Sequence, residues 1–283
     1  MSFNKATDSD QTTSGPHSRR RIVLTGVGAI VILAASAVAW AFWPRGTTEV
    51  SREEALKDFR DRAGSTTTEP TGEPNPTDTG STPAAGVYTY RASGEETVKL
   101  GPFPEETRPL PETVSAVVVS KPKSCFDFTL NFFEEHTEDT LYCDADGTFT
   151  LESHAKHQKI GPASPTANIT CDPRVLTAPG SASQDLACKL ELEGGPMKVT
   201  AEFEGVARTG AAEKLTIGGK QVTVTPVTID YDITGSVSGS WHEKLWLTAE
   251  RMPARIERKL DLKGPATFHE DIELELTSLS PAT

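Results

Sequence analysis

The chain has 283 residues, a net charge of −12 and a hydrophobic share of 36%, low for a compact globule and lowered further by polar segments near its N-terminus. From Val87 onward 30 acidic residues stand against 19 basic ones, a balance that repels phosphate backbones and argues against nucleic acid as a partner.

Residues 1–21 are polar, cannot bury a core, and predict a disordered cytoplasmic tail. Ile22 to Trp43 follows without one charged side chain, and at about 1.5 Å per residue it is long enough to cross a hydrocarbon core of about 30 Å as a helix. Arg19, Arg20 and Arg21 precede it and hold the N-terminus inside; Trp40, Phe42 and Trp43 suit the far interface, and Pro44 stops the helix. The expectation is a single membrane span, residues 22–43, with everything after it extracytoplasmic. The alternative is a signal cleaved after Ala37-Val38-Ala39, which would release a secreted protein, and Ser18-Arg19-Arg20-Arg21 also resembles a twin-arginine export signal.

Within residues 44–63, Ser51 and Glu54 have the spacing of a capping box, and Leu56 and Phe59 have helical spacing. They predict a juxtamembrane helix of about three turns, read as a solvated spacer. Residues 64–86, rich in Thr, Pro, Gly, Ser and acid, read as an extended linker that holds the following domain off the bilayer.

From residue 87 to 283 the pattern is short period-two runs between Gly, Pro, Asp and Asn, which predicts an all-β domain. Phe126, Phe128, Leu130 and Phe132 alternate with Asp127, Thr129 and Asn131; Leu186, Cys188, Leu190 and Leu192 do the same, as do Met197, Val199, Ala201 and Phe203. Turns are expected at Asp146-Gly147, Gly194-Gly195 and Gly218-Gly219. Beyond Val224 the apolar parity moves from even to odd, so a bulge or bend is expected at Pro226. About ten such runs fit a curved antiparallel sheet, a half-barrel or open barrel with an apolar inner face; a β-sandwich is the alternative.

The four cysteines all lie in this domain and read as two disulfides of an oxidising compartment. Of three pairings, Cys125 with Cys143 and Cys171 with Cys188 each close a local hairpin or loop. The first also places Phe126 opposite Tyr142 and Phe128 opposite Thr140, so that aromatic faces agree.

Motifs that carry chemistry are sparse. There is no Gly-rich phosphate loop and no H-E-x-x-H, and Gly235-Ser236-Val237-Ser238-Gly239 has Val where a nucleophilic serine would stand. No cofactor is implied. His154 and His157 would share a helix face and could hold a metal with Glu152, but the segment reads better as surface loop. Asp144-Ala145-Asp146-Gly147 begins like a calcium loop and lacks its later ligands. The acidic groups Glu105-Glu106, Glu134-Glu135 and Glu138-Asp139 read as solvated edges.

One stretch carries a family resemblance. Lys244-Leu245-Trp246-Leu247, followed by Arg251-Met252-Pro253-Ala254-Arg255-Ile256-Glu257, is similar to the paired strands of the lipoprotein-carrier and actinobacterial lipid-carrier lipoprotein superfamily. The resemblance covers about Trp241 to Leu262. It implies a half-barrel closed by helices around an apolar cavity for acyl chains; the family's lipobox cysteine and lid helices are absent from this chain.

The resulting expectation is a membrane-tethered, non-catalytic binding or accessory module of a bacterial cell envelope, with a lipid or an envelope protein as partner. An apolar ligand would lie on the face of Phe126, Phe128, Leu190 and Phe203, which is equally a core. The alternatives are an envelope hydrolase with carboxylates unrecognisable from spacing, and a membrane sensor or assembly subunit.

Overall fold

The computed structural model describes residues 47–64, 82–160, 162–195 and 198–283. The tail at 1–21, the expected span at 22–43 and most of the 64–86 linker lie outside the described residues. Among the described residues no helix is long and apolar enough to cross a membrane. They form one helix, α1 (Arg52–Gly64), and fifteen strands: β1 (Gly86–Leu100), β2 (Glu106–Pro109), β3 (Thr113–Lys121), β4 (Cys125–Phe133), β5 (His136–Ala145), β6 (Thr148–Gln158), β7 (Thr166–Cys171), β8 (Val175–Thr177), β9 (Ser183–Glu193), β10 (Val199–Thr209), β11 (Glu213–Ile217), β12 (Lys220–Gly235), β13 (Ser238–Leu247), β14 (Pro253–Lys263) and β15 (Ala266–Leu276).

Twelve of the strands form one antiparallel ring in the order β10-β9-β7-β6-β5-β4-β3-β1-β15-β14-β13-β12, and β10 pairs with β12 to close it. The expected half-barrel or open barrel is thus corrected to a closed barrel, and the sandwich is not formed. The reason is the closing ladder from Ala201 opposite Gly235 to Thr209 opposite Val227, which satisfies backbone groups that an open edge would leave bare. Gly205 stands in this seam opposite Tyr231, and a Cβ there would meet the Tyr231 ring at 2.3 Å. A residue without a side chain lets the aromatic ring lie across the joint. β11 continues β12 beyond the ring, while β2 and β8 pair with β1 and β6.

The turn chemistry behaves as read. Asp146 and Gly147 join β5 to β6 with φ of 53° and 80°, and Ile217 pairs with Lys220 across Gly218-Gly219. In β12 the buried parity shifts from Val224 to Val227, Ile229, Tyr231 and Ile233, with Pro226 at the change of face. Inward positions of the strands merge into one core that includes Phe126, Phe128, Leu130, Leu186, Leu190, Phe203 and Ile229. Each such fully buried side chain contributes about 1.5–3 kcal/mol relative to exposure.

Both disulfides form as paired above. Cys125–Cys143 lies on the outer face between β4 and β5, in the register that sets Phe126 against Tyr142 and Phe128 against Thr140. Cys171–Cys188 joins β7 to β9 on the inner face and is buried.

Helix α1 is not a solvated spacer. Its capping box forms, with the Ser51 amide donating to Glu54 Oε2 at 2.8 Å and the Glu54 amide donating to Ser51 Oγ at 3.2 Å. Ala55, Leu56 and Phe59 then pack on the outside of the barrel against Val87, Val117 and Val119. β3 is therefore buried on both faces, which is why Val117, Val118 and Val119 run together without alternation. Arg62 reaches Thr129 Oγ1 and Asp139 Oδ1, and the Glu134 amide donates to the Thr48 carbonyl at 2.9 Å. Residues 47–64 therefore belong to the barrel's body.

Candidate functional site

Antiparallel order gathers the turns β1–β2, β6–β7, β9–β10, β12–β13 and β14–β15 at one end of the barrel. Beneath them is a cavity of about 90 Å³, walled by Leu100, Ile169, Leu190, Leu192, Phe203, Val237, Leu260 and Phe268. A second cavity of about 30 Å³ lies deeper, between Phe128, Tyr142, Tyr231, Glu243 and Arg258. His154, Ile169, Phe203 and Trp241 line both and form the partition between them. A water's share of liquid is about 30 Å³ and an apolar cavity of about 150 Å³ takes benzene. The outer cavity therefore has room for a short apolar group, not for a whole acyl chain.

Three polar atoms of its lining residues have no hydrogen-bond partner in the protein: His154 Nε2, Trp241 Nε1 and Gln158 Oε1. Gln158 Nε2 donates to Glu96 Oε2 at 3.3 Å, which fixes the amide so that its oxygen is the unpaired atom. His154 Nδ1 is 2.9 Å from Thr140 Oγ1, and its ring lies against Trp241 at 5.7 Å between centroids. Burial drives this imidazole down to about 4, so it is neutral near pH 7.

Next to the cavity runs a network of buried charges. Arg258, 4% exposed, donates to Glu138 Oε2 at 2.7 Å, to Glu243 Oε1 at 2.7 Å and to Glu270 Oε1 at 3.2 Å. Lys156 Nζ lies 2.7 Å from Glu138 and 2.6 Å from Glu270, and sits over the Phe268 ring. His136 is stacked on Phe132, with Nε2 3.2 Å from Glu138 Oε1. Its Nδ1 is 2.6 Å from Glu96 Oε2, a close ionic contact off the line of a hydrogen bond. Arg108 reaches both Glu96 and, at the rim, Glu106.

The carboxylates respond unequally. Burial pushes Glu138 up, but Arg258 and then Lys156 outweigh it and hold that carboxyl well below the usual range. Burial also pushes Glu243 up, and there it prevails over Arg258, helped by repulsion from Glu138 and Glu270. Burial opposes charge on His136, yet Glu96 and Glu138 raise it above its ordinary value. Arg108, Lys156 and Arg258 thus stand among Glu96, Glu138, Glu243 and Glu270, and His136 adds a further cation when protonated.

The structure divides the expected site residues. Leu190 and Phe203 line the outer cavity, Phe128 lines the inner one, and Phe126 lies in the filled core against Tyr142 and Phe149. His154 and His157 do not share a face: on strand β6 a spacing of three sends them to opposite sides, His154 inward and His157 outward to Asp139 at 3.0 Å. They are strand residues rather than loop residues, and among the described residues no group of three or more His, Cys, Asp or Glu could hold a metal. Asp144 caps the β5–β6 turn by accepting from the Gly147 amide at 3.0 Å. Glu138 is no solvated edge, being 1% exposed. The network was missed because inward charges in period-two runs, such as Glu243 between Trp241 and Leu245, look like interruptions of the apolar face. Trp246, on which the family resemblance partly rests, faces outward beneath Lys244 and Arg255.

Comparison with protein-family models, with curated proteins and with solved structures finds no match to this chain.

Proposed function

We propose that this chain is a non-catalytic binding module of the cell envelope, tethered by Ile22 to Trp43, whose extracytoplasmic barrel takes the apolar part of a lipid-like ligand in its end cavity. The observation that carries the reading is the outer cavity itself, an apolar space of about 90 Å³ under one end of the barrel core. Two disulfides and the absence of free cysteines among the described residues support an oxidising compartment. The local resemblance at β13 and β14 points the same way. A hydrolase would need carboxylates free to act on a substrate, whereas Glu96, Glu138, Glu243 and Glu270 are each held by cations.

The test is native mass spectrometry of the purified full chain after exchange out of detergent. Wild type is expected to release an apolar adduct, and Leu190→Trp, which fills the cavity, is expected to lose it while keeping the same fold. Wild-type protein that is repeatedly empty counts against the reading.

A further inference from the structure

We infer that the part of the ligand held in the barrel carries an uncharged oxygen, a hydroxyl or carbonyl, seated between Trp241 and His154, and that a carboxylate is rejected there. The inference rests on the cavity being a ligand site and specifies what that site selects.

Trp241 Nε1 can only donate, and its residue is 8% exposed with no acceptor in the protein. A buried N–H left unpaired is costly, so an apolar wall with a waiting donor favours a guest that brings an acceptor. His154, 5% exposed, adapts to that guest. Its Nδ1 faces the Thr140 hydroxyl, which either donates or accepts, so Nε2 is correspondingly free to donate to a carbonyl or to accept from a hydroxyl. The two rings lie 5.7 Å apart between centroids and line the same cavity, so a guest oxygen seated between them meets both side chains. Gln158 Oε1 belongs to the mouth: four residues along β6 place it roughly 13 Å from His154 at about 3.3 Å per residue.

Charge works against an acid. The cations beside the cavity are already committed, Lys156 between Glu138 and Glu270, and Arg258 among Glu138, Glu243 and Glu270. A ligand carboxylate would enter a buried neighbourhood that already holds four carboxylates, without a cation to meet it. Lys99 lines the rim and is exposed, so a charged portion of the same ligand is accommodated outside the cavity, not in it.

The test uses the full chain in lipid nanodiscs, labelled in its indole nitrogens and leucine methyls and titrated with 1-propanol, propanoate and propane. Trp241→Phe identifies the indole signal. The expected result is that 1-propanol moves the Trp241 N–H and the Leu190 methyls together and binds about tenfold or more tighter than either analogue. Trp241→Phe should bring propanol down to the level of propane. Shifts at Leu190 of equal strength for propanol and propane, with the indole unmoved, would overturn the selection and leave the cavity reading standing. Propanoate that moves the indole as strongly as propanol would also overturn it. Silence at both positions with all three probes would remove the cavity reading itself. Should Trp241→Phe fail to fold, the three wild-type titrations decide alone.

Discussion

Within one barrel interior, two histidines are driven in opposite directions by their neighbours. His154 is held neutral by burial, with a folded value of about 4 below the unfolded value near 6.5. A depressed base contributes stability that is fully present above about pH 6.5 and is lost as pH falls toward 4, here up to roughly 3 kcal/mol. His136 is the converse: raised by Glu96 and Glu138, it stabilises below its unfolded value, and that contribution is lost as pH rises through its folded value. Thermal unfolding of wild type and His154→Phe at pH 7 and pH 5 separates them. The variant is expected to lose much of the acid-side fall, and an unchanged difference between the two pH values would refute a buried neutral His154. At this scale neither the burial of the ion network nor its pairing was read from the sequence, where Glu138 stood as a solvated edge. Ile256-x-Arg258-x-Leu260 and Phe268-x-Glu270-x-Ile272 place charges on apolar strand faces, but the Glu138 that meets Arg258 is 120 residues away in sequence.

Elements with local rules were read correctly, and elements that depend on a distant surface were not. The capping box of α1 and the turns at Asp146-Gly147 and Gly218-Gly219 are written within a few residues of the structure they form. Docking of α1 was invisible because its apolar stripe is short, and the counterpart signal sits on β3, where Val117 and Val119 break the alternation. Ala55 is the contact with least room, 1% exposed against Val87, Val117 and Val119. Ala55→Arg is therefore expected to release α1. Limited proteolysis should then cut within α1 itself, residues 52–64, where the docked wild-type helix resists, while residues 82–283 survive; a helix as resistant as wild type would mean it stays docked.

Closure of the ring is a property of the whole molecule, and period-two alternation is the same in an open and a closed sheet, so the sequence carried the strands without their circular order. The same scale explains what Arg258 does. β14 and β5 stand five places apart in a ring of twelve strands, so Arg258 and Glu138 join walls on opposite sides of the barrel. Removing the cation leaves Glu138, Glu243 and Glu270 buried around an unfilled charge, and Arg258→Met is expected to cost about 3–5 kcal/mol in denaturant unfolding. A loss under about 1 kcal/mol, the scale of an exposed pair, would show that water reaches the network. The docked N-terminal segment has a mechanical consequence as well. A pull on the chain before residue 47 loads the Thr48 contact with the β4–β5 turn and then α1, before it reaches the barrel ladders. If those contacts yield first, the closing ladder of β10 and β12 carries none of the load, so the docked helix shields the ring from a force applied at residue 47.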